Sequence, residues 1–414
     1  MKHRLLTLLL ATFALVGCEQ IRDEIIVDNK SDLARVGEIV EVDATRFGIE
    51  EGKNFVVRNE ADQIVPSQLT HDGKLIFACD LEAGATAHYT VVKEDLQMKM
   101  QTYACGRVYP ERVDDMAWES DLIAFRAYGP ALQKSGERAF GYDVWLKNNT
   151  DLPVVEERYN KELNPETKAR IAELRKTDAA AADELASSVS YHNDHGNGMD
   201  AYKVGPTLGG GATAIIDGRR IIYPYCWAEC EILDNGPLRF TARLTYNPTE
   251  VDDVELTEVR TISIDKGSFL NETTVVYNAD VEKDVEVMSG IVLHEKQPRT
   301  TYCAEDGYVT YAEPVEAPDG GELYLAMLFP KAWDGAENRL WKLFDEKPAG
   351  TYGHAAVYNK VRTGEELTYY WGALWNKSTL VDVPDKEAFD KIMADVAAAK
   401  KCPLEVTTIV YERK

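Results

Sequence analysis

The sequence predicts a mainly β protein: a small N-terminal β-sandwich, then a large antiparallel two-sheet supersandwich carrying a helical insert. Three observations predict it. Most segments are short runs rich in Val, Ile, Thr and Tyr, broken by Gly, Asp, Asn and Pro. Helical periodicity is confined to two stretches. After Gly211 the alternating runs are joined by hairpin turns over a span too great for an ordinary seven-strand sandwich.

The N-terminus carries a different signal. Lys2 and Arg4 precede the apolar run Leu5–Val16, which ends in Gly17-Cys18. A basic start, an apolar stretch too short to span a bilayer and a small residue before a Cys predict an export signal over 1–17. The reading makes Cys18 the lipidated first residue of a mature lipoprotein, held in the outer membrane on its periplasmic or surface face. A tether over 18–30 follows.

The small sandwich is expected over 31–95. Val36–Val42, Asn54–Val57, Lys74–Phe77 and Ala87–Val92 read as its strands, with Asp72-Gly73 and Ala83-Gly84 as turns. The supersandwich is expected over 96–414. Leu122–Tyr128 and Tyr142–Leu146 are its first strands. The helical insert is placed at about 160–190, where Asn164-Pro165-Glu166 reads as an N-cap with Pro in the first turn. Strands then run from Leu238–Tyr246 to Leu367–Trp375. A helix over Pro384–Lys401 and a final strand over Leu404–Tyr411 close the chain.

Net charge is -24, which sets the protein against nucleic acid and anionic lipid headgroups. Membrane attachment therefore falls to the lipid at Cys18. Beyond Cys18 there are six cysteines, Cys79, Cys105, Cys226, Cys230, Cys303 and Cys402. They are compatible with disulfides or with free thiols, and the spacing of Cys226 and Cys230 matches no zinc knuckle. Gly209-Gly210-Gly211 lacks the Lys of a phosphate loop, and no Gly-x-Ser-x-Gly elbow is present.

One segment gathers reactive side chains: Tyr191-His192-Asn193-Asp194-His195-Gly196-Asn197-Gly198-Met199-Asp200-Ala201-Tyr202-Lys203. Its glycines permit sharp turns that present polar side chains. Imidazole titrates near neutrality, so His192 or His195 is the candidate base, Tyr202 the acid, and Lys203 or Arg126 the clamp for a substrate carboxylate. Glu119 is a further acid or base candidate. Trp118 and Trp371 are candidate sugar platforms, with Asp200 and His294 as substrate contacts. The same loop offers a second reading, a divalent metal held by His192, Asp194 and His195, although the spacing fits no established metal motif. No cofactor is otherwise called for.

Trp118–Asp121 through Tyr128-Gly129-Pro130, the segment Tyr191–Gly205, Gly236-Pro237-Leu238-Arg239 and Tyr369–Trp375 together resemble a secreted Bacteroidetes family, the domain of unknown function numbered 4861. The resemblance spans about residues 30–414. It implies a galactose-mutarotase-like supersandwich and a setting in the degradation of uronate polysaccharides, and it brings no catalytic residue with it. The expectation is a carbohydrate-active lipoprotein that acts on uronic-acid-containing glycans by proton transfer, as a lyase or epimerase, with an acidic glycan or oligosaccharide as partner. The alternatives are a glycan-binding lipoprotein without turnover, a glycoside hydrolase, or a metal-dependent hydrolase.

Overall fold

The computed structural model describes residues 23–50, 54–94, 100–148, 153–342 and 347–411. The expected export signal and Cys18 lie outside the described residues. The architecture is mainly antiparallel β.

The small sandwich is built from both ends of the chain. Its five-stranded sheet contains Asp23–Asp28, paired with Thr86–Val92 on one side and with Glu405–Ile409 on the other. A three-stranded sheet of Arg35–Asp43, Lys74–Leu81 and Ser67–Leu69 packs against it. Ile25 and Val27 alternate into the shared core with Val40, Phe77, Tyr89 and Val91. Within the tether expected over 18–30, Asp23–Asp28 is therefore a strand, and the module extends past the 31–95 span at both ends. Only two apolar side chains mark the buried face of Asp23–Asp28, too few for a periodic signal.

The larger core lies between two layers. One is a nine-stranded sheet that includes Arg239–Tyr246, Val254–Asp265, Leu270–Asn278 and Glu366–Trp375. The facing layer consists of two five-stranded sheets rather than the single sheet expected. They abut at one parallel bridge between Tyr142 and Gly209. Gly209 is required there: its φ is +56°, and a Cβ would lie 2.2 Å from the Tyr142 carbonyl oxygen.

The helical insert consists of Val154–Glu162, Pro165–Thr177 and Ala179–Val189. Asn164 caps the second helix, its Oδ1 accepting from the backbone N–H groups of Glu166 and Thr167. The insert begins earlier than the expected 160 because the first helix is capped from elsewhere. Glu119, on a distant strand, accepts from the N–H groups of Val154 and Val155 at 3.1 and 3.2 Å. Helix Lys386–Lys401 buries Phe389, Met393 and Ala397 at four-residue spacing and is capped by Asp385. Cys79, Cys105, Cys226, Cys230, Cys303 and Cys402 are free thiols. Among the described residues, no helix is long and apolar enough to cross a membrane.

Candidate functional site

The first five-stranded sheet of the facing layer positions the site. Its strands include Asp115–Ser120, Ala124–Ala127, Tyr142–Lys147 and Gly198–Asp200. Side chains alternate along a strand, so each contributes to two faces. Met116, Trp118, Phe125, Tyr142, Val144, Leu146 and Met199 point into the main core. The intervening positions put Asp115, Glu119, Arg126, Asp143, Lys147 and Asp200 on the opposite face, which the first insert helix covers.

Buried charges there are paired, as desolvation requires. Arg126 stands opposite Asp143 in register and is hydrogen-bonded to it. The same Nη2 reaches Asp200 at 2.8 Å. Arg126 Nη1 is 3.8 Å from Asp115 and 3.1 Å from the Tyr159 hydroxyl. Three carboxylates thus crowd one guanidinium, with Arg112 assisting Asp115 from 3.9 Å. Burial pushes Asp143 up to about 7, aided by the charge of Asp200 and opposed by Arg126. Burial likewise raises Asp115 to about 6 against the pull of Arg126 and Arg112, and raises Asp200.

These contacts correct several expectations. Arg126 is buried with both Nη atoms beside protein carboxylates, so it is not open to a substrate carboxylate. Asp200 is sealed beneath the loop and does not reach a ligand. Glu119 accepts from Lys147 Nζ at 2.7 Å as well as capping the insert helix, so it is structural. Trp118 and Trp371 are core side chains, not sugar platforms. Trp118 Nε1 donates to Asn271 Oδ1 at 2.6 Å, and Trp371, fully buried, stacks on Tyr142 at 4.1 Å between ring centroids. His354, buried in the core, accepts from the N–H of Leu208 at 3.1 Å, and burial lowers it to about 3.

The loop over residues 190–197 is folded on its own backbone and on Arg158. The Arg158 guanidinium donates to the carbonyls of Ser190 and Asn193 and to Asn197 Oδ1. Asp194 Oδ1 accepts from the N–H groups of Gly196 and Gly198 at 2.8 and 3.0 Å. His195 Nε2 donates to the Ser190 carbonyl at 3.0 Å. Asp194 and His195 therefore point their donor atoms at the loop itself, and no cluster of three or more His, Cys, Asp or Glu suited to a metal ion occurs among the described residues.

His192 differs. Its side chain is 59% exposed, and Nδ1 lies 2.9 Å from the Asp200 carbonyl and 3.7 Å from the Asp200 carboxylate. A carbonyl only accepts, so Nδ1 carries the proton and Nε2 is left as the open basic nitrogen. Tyr202, buried in the main core, packs against a second imidazole. Tyr202 and His294 meet edge to face with ring centroids 5.5 Å apart. His294 Nδ1 is 2.8 Å from Glu313 Oε2. Burial pulls His294 down, but the hydrogen bond and charge of Glu313, with the Lys203 backbone, outweigh it and the net shift is upward. Burial and the charge of Glu313 hold Tyr202 as a neutral phenol. Lys203 is exposed at the edge and ion-paired with Glu316.

Asp115, Tyr128, Asp143 and Glu313 were not singled out in the sequence. A signal existed for one of them: Asp143 is a lone charge in the otherwise apolar run Tyr142–Leu146. A cavity of about 340 Å³ borders Glu119, and two larger ones are not lined by His192, Tyr202 or His294. One of about 600 Å³ lies beside His71 and Asp234, and one of about 520 Å³ beside Tyr358 and Asn359.

Among solved structures, the chain is similar to an α-mannosidase from Enterococcus faecalis at TM-score 0.47 and 10% identity, covering 95% of this chain and 46% of that one. It is also similar to a protein in glycosyl hydrolase family 38 from the same organism, at TM-score 0.42 and 8% identity, covering 94% and 47%. The chain spans less than half the length of these two structures. A protein of Formosa agariphila, named uncharacterized protein P7, is 25% identical over 98% of this chain and 100% of its own. The profile of the family described as Domain of unknown function (DUF4861) matches residues 27–406, most of the chain from the first strand to the last, and the protein belongs to that family.

Proposed function

We propose that the protein is a carbohydrate-active lipoprotein of the outer membrane, anchored through Cys18, that acts on uronic-acid-containing glycans by proton transfer. The observation that carries this reading is His192, an imidazole fixed by its Nδ1–H with the other nitrogen open to solvent. In this reading His192 removes the proton beside the sugar carboxylate, the C4–oxygen bond breaks, and the leaving oxygen takes a proton. Lys203 is the cation that remains for the substrate carboxylate. Its pair with Glu316 is two-thirds exposed at both ends, and such pairs are weak and readily exchanged. Arg126 is excluded from that role by its three carboxylate partners.

The test is incubation with pectic and other uronate oligosaccharides while following absorbance from new C4–C5 double bonds. Turnover that falls at least ~100-fold in His192→Gln supports the reading. A flat trace with release of reducing ends transfers the protein to the hydrolases. Saturable binding without product, undiminished in His192→Ala, makes it a glycan-binding protein.

A further inference from the structure

Tyr202 buries a hydroxyl that has no hydrogen-bonding partner, and His294 buries an Nε2 that faces the Lys203 backbone without completing a well-formed hydrogen bond. Leaving either unsatisfied is costly, so each needs an explanation. The two side chains come from different elements. Tyr202 follows the short strand Gly198–Asp200, and His294 follows strand Asp284–Leu293. Glu313, on strand Tyr308–Pro314, holds the far nitrogen of His294, while the backbone N–H of His294 donates to the Tyr311 hydroxyl at 3.2 Å. Glu313 is thus the side-chain partner that orients the imidazole, with only the Lys203 backbone near its other side. The remaining imidazole nitrogen and the phenol are left on rings in edge contact.

Resting on the reading of His192 as base, we propose that the Tyr202 hydroxyl and His294 Nε2 together hold the departing oxygen of the substrate, with Tyr202 as general acid. The step balances. His192 takes the C5 proton, the C–H electron pair forms the C4–C5 double bond, and the C4–oxygen pair leaves with the oxygen. The Tyr202 O–H gives its proton to that oxygen, and the His294 imidazolium returns a proton to the phenolate. Water restores both histidines after product leaves. Glu313 is a positioning residue whose carboxylate favours the imidazolium form.

Both atoms are closed to solvent in the free protein, so substrate must open the segment that carries Tyr202. Lys203 is the handle. A carboxylate that draws Lys203 from Glu316 pulls on the adjoining backbone, and Gly205, with φ +54° and no atom within 4 Å of a would-be Cβ, lies two residues beyond.

The test compares Tyr202→Phe, His294→Gln and Glu313→Gln on oligogalacturonate, each first checked for wild-type thermal unfolding. Tyr202→Phe is expected to lose at least ~100-fold in kcat with KM little changed. Glu313→Gln is expected to move the alkaline limb of the kcat–pH profile to lower pH, because an acid that loses its neighbouring carboxylate gives up its proton sooner. The groups that face His294 are Glu313 and Tyr311 from their strand, Tyr202 and Lys203 from the loop, Glu316 beyond it, and His354 from strand Gly353–Arg362. Only the first is changed in this variant. Tyr202→Phe and His294→Gln within threefold of wild type, while His192→Gln is inactive, would overturn the proposal and leave the base intact. If the wild type turns nothing over, ¹⁵N spectra of His294 during digalacturonate titration decide: a moved Nε2 signal supports the contact, and an unmoved one at saturation overturns it.

Discussion

The two faces of the sheet that holds Trp118, Phe125, Arg126 and Asp143 are made by the same strands and are stabilised in opposite ways. One face is aromatic and aliphatic: Trp118, Phe125 and Tyr142 pack against Trp371 of the nine-stranded sheet, with ring centroids within 6.2 Å along their contacts. The other holds buried ions under a helix. Apolar packing tolerates rearrangement in proportion to volume lost, whereas an ion pair under cover tolerates the loss of neither partner. The proposed base, His192, lies at the margin of the charged face, where cover gives way to loop.

The comparison is tested first on the apolar face. Trp118→Ala should cost about 4 kcal/mol in urea unfolding, by lost transfer and a cavity. On the charged face Lys147→Met should cost about 3 kcal/mol, since it leaves Glu119 buried without its cation. The double variant Glu119→Gln with Lys147→Met should recover most of that, and failure to recover would mean that the ion pair is not the main contribution.

A third prediction concerns pH. Asp143 and Asp115 have folded pKa values raised above the ordinary carboxylate value. Between about pH 4 and 7 the folded state holds protons that the unfolded chain has released, so this cluster's contribution to stability decreases as pH rises through that window. Asp143→Asn should flatten the slope of unfolding free energy over the same range, while a Trp118 variant should leave it unchanged. The smallest effect is expected at the surface. Asn164→Ala removes one N-cap from a helix that buries no side chain and should cost about 1 kcal/mol at most, read in the same unfolding series.

The long strands, the closing helix and the Asn164 cap were legible because their signals are local: alternation, four-residue spacing and a cap residue beside its helix. The start of the insert was not, because its cap is Glu119, far away along the chain. Nor was the pairing of Asp23–Asp28 with Glu405–Ile409, which joins segments with almost the whole sequence between them. The site was legible as a segment rather than as a set of roles. The loop spacing picked out His192, Tyr202 and Lys203. It gave no means of telling that Arg126 faces Asp143 in register, that Trp118 points the other way, or that Glu313 comes up behind His294. Those facts depend on which face of which strand each residue occupies, and a one-residue shift in register would exchange them.

The first and last described strands lie side by side, and the backbone of Tyr411 donates to Asp23. Asp23 and Tyr411 therefore lie at one corner. The small module cannot be excised as one continuous stretch: residues 31–95 alone would lack an interior strand and its outer neighbour. A circular permutant that joins Tyr411 to Asp23 through a short linker and opens elsewhere should retain the fold.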